Sequence, residues 1–501
     1  MNIKQAKEEI IHTVQAYLSK DENGVYKIPS IRQRPVLLMG PPGIGKTQIM
    51  EQIARECKIG LVSYTITHHT RQSAVGLPFI KEEVFDGKTY SVTEYTMSEI
   101  IASIYRTIKE SGNREGILFI DEINCVSETL APTMLQFLQC KTFGNQKIPE
   151  GWIIVAAGNP PEYNKSVRDF DMVTLDRVRY MQIEADLSVW REYANAKHIS
   201  QCILSYLELH PGSFYRVQAD VDGMQFVTAR GWEDLSNLLD TYESLEIPVG
   251  QELIAEFLHH TDVAEDFFAY YDLYQKYRDD YGITEILKGH QPPELFARID
   301  QAAFDERICV VNLILEGLQN GFAKIRSSKE LADAWFAFLK QYRNGLEQVE
   351  DPKARYLELS EERKNWVVTQ EKAGFFTRKQ AAVQQKLLKR ILEYIPQAKE
   401  ANECFLQAKA GFDKHCAAME QEWQQSSTEL EHAFDFMERA FEHGQELVVF
   451  VTELTMNPDS AMFLANHSCE RYLKYREEFL TDRKRAEILN ELEMDRNVNK
   501  S

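Results

Sequence analysis

VLLMGPPGIGKTQIMEQIAREC, residues 36–57, is the stretch that decides the fold. Four apolar residues make a short buried strand, a glycine-rich loop follows, and apolar residues then recur at three- and four-residue spacing, as on one face of a helix. GPPGIGKT at 40–47 fits the phosphate-binding pattern G-x-x-x-x-G-K-[ST], and it stands where that pattern must stand, between a strand and a helix. Gly40, Gly43 and Gly45 permit a tight loop whose N–H groups surround phosphates, and the helix N-terminus adds a favourable dipole. Lys46 is placed to contact β- and γ-phosphates and Thr47 to offer a hydroxyl to Mg²⁺, with Pro41, Pro42 and Ile44 completing the loop. The pattern alone does not separate ATP from GTP.

Outward from this loop, short apolar runs alternate with helical stretches up to about residue 185. The strand candidates are 36–39, 61–66, 117–121, 152–158 and 179–183; helices are expected at 47–57 and 97–110. That alternation predicts an α/β P-loop domain over 35–185, a parallel sheet covered by helices. Two interruptions, at 70–96 around Asp86-Gly87 and at 139–151 around Gly144-Asn145, read as inserted hairpins. From about 186 strand signals fade. An all-α lid is expected over 186–300 and an all-α C-terminal extension over 301–501, the latter a bundle or a coiled-coil hairpin whose heptads are not clean enough to decide. Residues 1–34 read as an N-terminal amphipathic helix and linker.

The next element with chemistry is ILFIDEIN at 117–124, an apolar strand ending in two carboxylates. Asp121 can hold the shell of a magnesium ion, and Glu122 can accept a proton from an attacking water. Paired carboxylates at the end of a buried strand are costly without a cation to meet them. A third strand ends in AAGNPPE, which puts the neutral amide of Asn159 where it could orient that water, although Gly-Asn-Pro is also ordinary turn chemistry.

Composition narrows the rest. The 501 residues carry a formal net charge of −20, which on average repels nucleic acid phosphates, and no basic stretch with interleaved aromatics offsets it. The first residues mix charge into every turn, unlike a signal or transit peptide, and no apolar run reaches the roughly 20 residues that span a bilayer, so no membrane insertion is expected. Eight cysteines, scattered without a CxxC pair, read as reduced structural thiols of a cytoplasmic protein. The pairs His68-His69 and His259-His260 point in different directions as neighbours on any regular element, and read as solvated or packed.

Together these residues resemble the AAA+ ATPases of the MoxR group, over about 30–300. GPPGIGKT corresponds to Walker A, ILFIDEIN to Walker B, TFGNQKIPEGWIIVAAGNP to the hairpin leading into sensor 1, and VTARGWEDLSNLL (227–239) to the start of the sensor 2 helix. The resemblance implies a ring, usually of six copies, with ATP and Mg²⁺ at each interface. It makes Arg230 the sensor 2 arginine and Arg177, in TLDRVRY, the arginine finger reaching a neighbour's γ-phosphate. The usual LDRF here reads LDRV with Arg179 close behind, so Arg177 and Arg179 both stand as candidates. QSAVGLPF at 72–79 is similar to the group's helix 2 insert, which commonly faces the pore or a client. Members often remodel a partner that bears a von Willebrand A domain, a domain this chain lacks.

Two functions from different classes follow. One is an ATP-hydrolysing remodelling machine for protein partners, the other an ATP-gated ring scaffold with little turnover, in a regulatory or defence complex. A nucleic acid motor is disfavoured by the acidic balance. Nothing in residues 301–501 resembles a known module, and function in such proteins sits in these additions.

Overall fold

The computed structural model describes residues 1–479 except 69–73, 75, 144–145, 164–166, 168–169, 221–222, 347–348 and 350. Its contacts divide the chain into two compact units. The first comprises Met1–Val189, Thr228–Arg230 and Glu362–Ala382; the second comprises Trp190–Val227, Gly231–Glu361 and the chain from Val383 onward.

The core of the first unit is a five-stranded parallel sheet. Its strands are β1 (Val36–Met39), β2 (Gly60–Thr65), β3 (Gly116–Asp121), β4 (Trp152–Gly158) and β5 (Arg179–Gln182), in the order β2-β3-β4-β1-β5. All four pairings are parallel, with Val36 opposite Val155 and Arg179, and Ile117 opposite Leu61 and Ile153. The central strands read as unbroken apolar runs because both faces are covered: every residue of β1 and β4 is buried, and so is all of β3 up to Ile120. Helices α1 (Ile3–Leu18), α2 (Lys46–Cys57), α3 (Glu99–Ser111) and α4 (Ala131–Cys140) accompany the sheet. Ile100, Ile101 and Ile104 of α3 and Met134, Phe137 and Leu138 of α4 join Leu37, Leu118, Ile120, Ile154 and Ala156 in one apolar cluster.

Pro78–Phe85 and Lys88–Tyr95 form an antiparallel hairpin. Asp86 and Gly87 make its two-residue turn, both with positive φ (47° and 76°), the mirror-image turn that matches strand twist. A smaller hairpin pairs Thr142–Phe143 with Gln146–Lys147; the Gly144-Asn145 turn expected there lies outside the described residues.

The second unit is dominated by two long helices, α6 (Phe304–Gly345) and α7 (Ala401–Phe441). They run antiparallel, since Ser328 bonds Glu422, Trp335 meets Phe412 and Tyr342 meets Phe405 as numbers rise on one and fall on the other. Helices Pro352–Lys372 and Arg378–Glu393 share a core with them built from Trp335, Phe338, Tyr342, Tyr356, Leu387, Ile391 and Ala408. A bundle end of four helices therefore replaces the bare coiled-coil alternative.

Two expectations need correction. A short hairpin, Arg216–Asp220 with Gly223–Val227, interrupts the stretch expected to be wholly helical. Val217 with Ala219 and Met224 with Phe226 do alternate with their neighbours, but each strand is only five residues long and mostly exposed, a weak signal among helices. Secondly, α6 contains a window long and apolar enough by composition to cross a membrane, but 67% of that window is buried inside the protein, so the apolar residues face other helices. The sequence hides this run because charged residues flank and punctuate it.

Helices Gln445–Met456 and Pro458–Asn466 are anchored by buried carboxylates. Arg307 meets Glu446, Arg191 meets Glu453 at 2.7 Å, and Arg326 meets Asp459 at 2.9 Å with His198 3.4 Å from the other oxygen. Removing one partner leaves a charge stranded in a poorly solvated site. Arg326→Ala should therefore destabilise the protein by about 2 kcal/mol, below the usual cost of breaking a buried pair because Arg326 is itself half-exposed and His198 remains. Urea unfolding measures it; a midpoint equal to wild type would show that the pair contributes nothing.

Candidate functional site

The phosphate loop, the acidic strand end and the β4 terminus all lie at the C-terminal edge of the sheet. Strand order puts β4 between β1 and β3, so Asn159, just past β4, is flanked by the loop after β1 and the carboxylates ending β3. Open α/β sheets bind ligands at this edge. In the loop, Gly43 and Gly45 adopt left-handed backbone (φ 73° and 92°), and α2 starts at Lys46. A Cβ on Gly43 would stand 2.9 Å from the side chain of Thr228, so glycine is required there for space as well as conformation.

Lys46 is 8% exposed. Its ammonium donates to the carbonyls of Gly40 and Pro41 and to Asn159 Oδ1, each at 2.8 Å. Burial pushes its pKa down to about 8; Asp121 opposes that shift and Arg230 adds to it. Thr47 Oγ1 donates to Asp121 Oδ2 at 2.7 Å. One hydroxyl and one carboxylate oxygen in contact fit a small hard cation, which takes its remaining ligands from water and phosphate oxygens.

Glu122 occupies the left-handed region (φ 57°), uncommon for a residue with a Cβ, and its N–H donates to Asp121 Oδ1 at 2.9 Å. The carboxylate turns to Thr67, whose hydroxyl donates to Glu122 Oε2 at 3.1 Å. Arg230 is in the first turn of α5 (Ala229–Ser244); its N–H donates to Gly43 O at 3.2 Å while its side chain is exposed. Thus Lys46, Thr47, Asp121, Asn159 and the backbone of Arg230 are drawn together.

The two arginines near β5 differ. Arg179 is held within its own chain by α1, bonding Glu9 and Thr13. Arg177 is exposed, in the turn before β5, and its guanidinium donates to Gln139 Oε1 of α4. Sequence reading passed over Thr67, Asn124, Gln139 and Thr228. Asn124 stood in the quoted DEIN motif, but a role for it depends on which backbone it faces, and that is settled by tertiary structure. Of QSAVGLPF, Gln72, Ser73 and Val75 fall outside the described residues; the rest comprises buried Ala74 and Gly76 and exposed Leu77, which leads into the exposed hairpin.

The fold and this loop define a P-loop nucleotide-binding protein. Residues 36–174 match the AAA family, ATPase family associated with various cellular activities, and the chain thus carries an AAA ATPase domain, a family that in general hydrolyses ATP. No curated protein matches the chain.

Because the folded site favours neutral Lys46, folding carries a cost while folded and unfolded chains are both protonated, and that cost is relieved as pH rises from about 8 toward 10.5. Nucleotide phosphates need the charged form. Nucleotide affinity should consequently fall as pH rises above about 8, and Lys46→Arg, which keeps its charge, should flatten the profile. Titration calorimetry from neutral to alkaline pH checks this; a flat wild-type profile would exclude Lys46 as the titrating contact.

Proposed function

We propose that this chain is a MoxR-like AAA+ ATPase that assembles as a ring in which each site is completed by a neighbouring copy, and that turnover drives remodelling of a protein partner.

 Its substrate in this reading is ATP, hydrolysed at the interfaces between neighbouring copies. The observation that carries the reading is the convergence of Lys46 on Asn159 and of Thr47 on Asp121, each within 2.8 Å, at the C-terminal edge of a parallel sheet.

Magnesium-bound ATP supplies the phosphoryl group that passes to water, and Thr47 and Asp121 would hold the cation. Lys46 and the loop N–H groups bind the phosphates. Glu122 accepts the proton of the attacking water, with Oε2 anchored by Thr67 and Oε1 left for the water. Asn159 orients that water through its side-chain amide. Arg230 lies on a helix whose first turn is bonded to the phosphate loop, which suits a residue that reports the nucleotide to the helices beyond. Arg177 serves the neighbouring copy's site: it is exposed, whereas Arg179 is engaged by α1. The hairpin Pro78–Tyr95 supports a client-facing role, since Ile80 and Val84 are 76% and 68% exposed.

The test is ATP turnover per chain over a protein concentration series, with particle mass recorded in parallel. Turnover should rise with assembly, and Arg177→Ala should lower it about a hundredfold or more, as loss of a trans-acting arginine does, while nucleotide still binds. In mixtures of wild-type and Arg177→Ala chains, activity should depart from a linear dependence on the wild-type fraction. A linear dependence would place Arg177 outside its neighbour's site. A protein that binds ATP and assembles but never turns over, alone or with partners, would be the ATP-gated scaffold.

A further inference from the structure

Asn124 is 3% exposed and lies in the short helical turn Ile123–Cys125, directly after Glu122. Its Nδ2 donates to the backbone carbonyl of Asn159 at 2.7 Å. Its Oδ1 is buried without a hydrogen-bond partner among the described residues. That oxygen is close against Gly158: a Cβ there would stand 2.5 Å from Asn124 Oδ1 and 2.9 Å from Met39 Sδ. Leaving a buried amide oxygen unpaired is destabilising, so packing alone would be better served by an apolar side chain. What the amide supplies is a link between two segments. It joins the turn bearing Asp121 and Glu122 to the loop bearing Asn159, whose own side chain reaches Lys46.

We propose that Asn124 is a positioning residue for hydrolysis, holding the Asn159 backbone, with Gly158 as the notch that admits it, so that the Asn159 amide faces the phosphate loop. The proposal rests on the ATPase reading above. Asn124 acts through Asn159 and touches no reacting atom.

Asn124→Asp keeps the shape but loses the donor, Asn124→Ala removes the link, and Asn124→Ala/Gly158→Ala refills the vacated volume with a methyl group. In the full chain, kcat for ATP should fall at least tenfold in all three variants, with KM and nucleotide affinity within about threefold of wild type. The double variant should recover melting temperature relative to Asn124→Ala without recovering kcat. Hydrogen exchange gives a readout independent of turnover: amides of a peptide spanning residues 157–163 should exchange faster in Asn124→Asp, with those of β1 and β3 unchanged. If kcat returns with the melting temperature in the double variant, Asn124 is packing only and the proposal fails. Unchanged exchange at 157–163 would overturn it too, whatever the turnover. A wild-type protein that does not hydrolyse ATP would sink the ATPase reading, while the exchange measurement would still decide whether Asn124 holds Asn159.

Discussion

Glu122→Gln should leave a protein that binds ATP with unchanged affinity and turns it over about a hundred- to a thousandfold more slowly, a barrier increase of ~3–4 kcal/mol. Glutamine has the same shape, so the left-handed turn at residue 122 and the bond from Thr67 are both preserved, the side-chain oxygen accepting as the carboxylate did. What disappears is the basic oxygen. Nucleotide binding should be spared because the phosphates are held by Lys46 and the loop N–H groups. Phosphate release in steady state gives kcat, and a fluorescent nucleotide gives affinity. If turnover fell less than about threefold, another group would have to accept the proton.

Lys46→Ala should abolish turnover through binding, weakening nucleotide affinity about a hundredfold or more, since a buried charge–phosphate contact contributes roughly 3 kcal/mol. Its effect on stability has the opposite sign from the usual loss of a well-bonded side chain. Lys46 makes three hydrogen bonds, yet burial lowers its pKa to about 8, which means that the folded protein holds the charge at a cost. Removing the ammonium relieves that cost. The variant should therefore melt at or above the wild-type temperature without nucleotide and gain nothing when ATP is added, whereas wild type gains stability by mass action. A variant that melted well below wild type in the absence of nucleotide would show that the lysine's bonds outweigh its desolvation. Loss of activity would then report unfolding.

Most of the first unit was legible in the sequence. The β1 run is apolar throughout and the β3 run is apolar up to Ile120, because a parallel strand is buried on both faces, and the glycines of 40–47 punctuate a strand–loop–helix unit with few alternatives. The Asp86-Gly87 hairpin was readable for the same local reason, a turn that needs two positive φ angles. The hairpin at Arg216–Val227 was not, since its strands are five residues each and mostly exposed, and so brief an alternation carries little weight between helices. Nor was the core role of α6, whose apolar window shows what it covers only once α7 and the helices Gln445–Met456 and Pro458–Asn466 pack against it.

The sequence by itself determined the phosphate loop, the acidic strand end and the order of elements, because each depends on backbone conformation and burial within a few consecutive residues. Tertiary structure alone decided which distant groups meet: Asn159 on Lys46, Thr67 on Glu122, Asn124 on the Asn159 carbonyl, and Arg179 rather than Arg177 on α1. Those pairings join residues up to 170 positions apart. No local preference encodes them; they follow from the order in which the strands assemble.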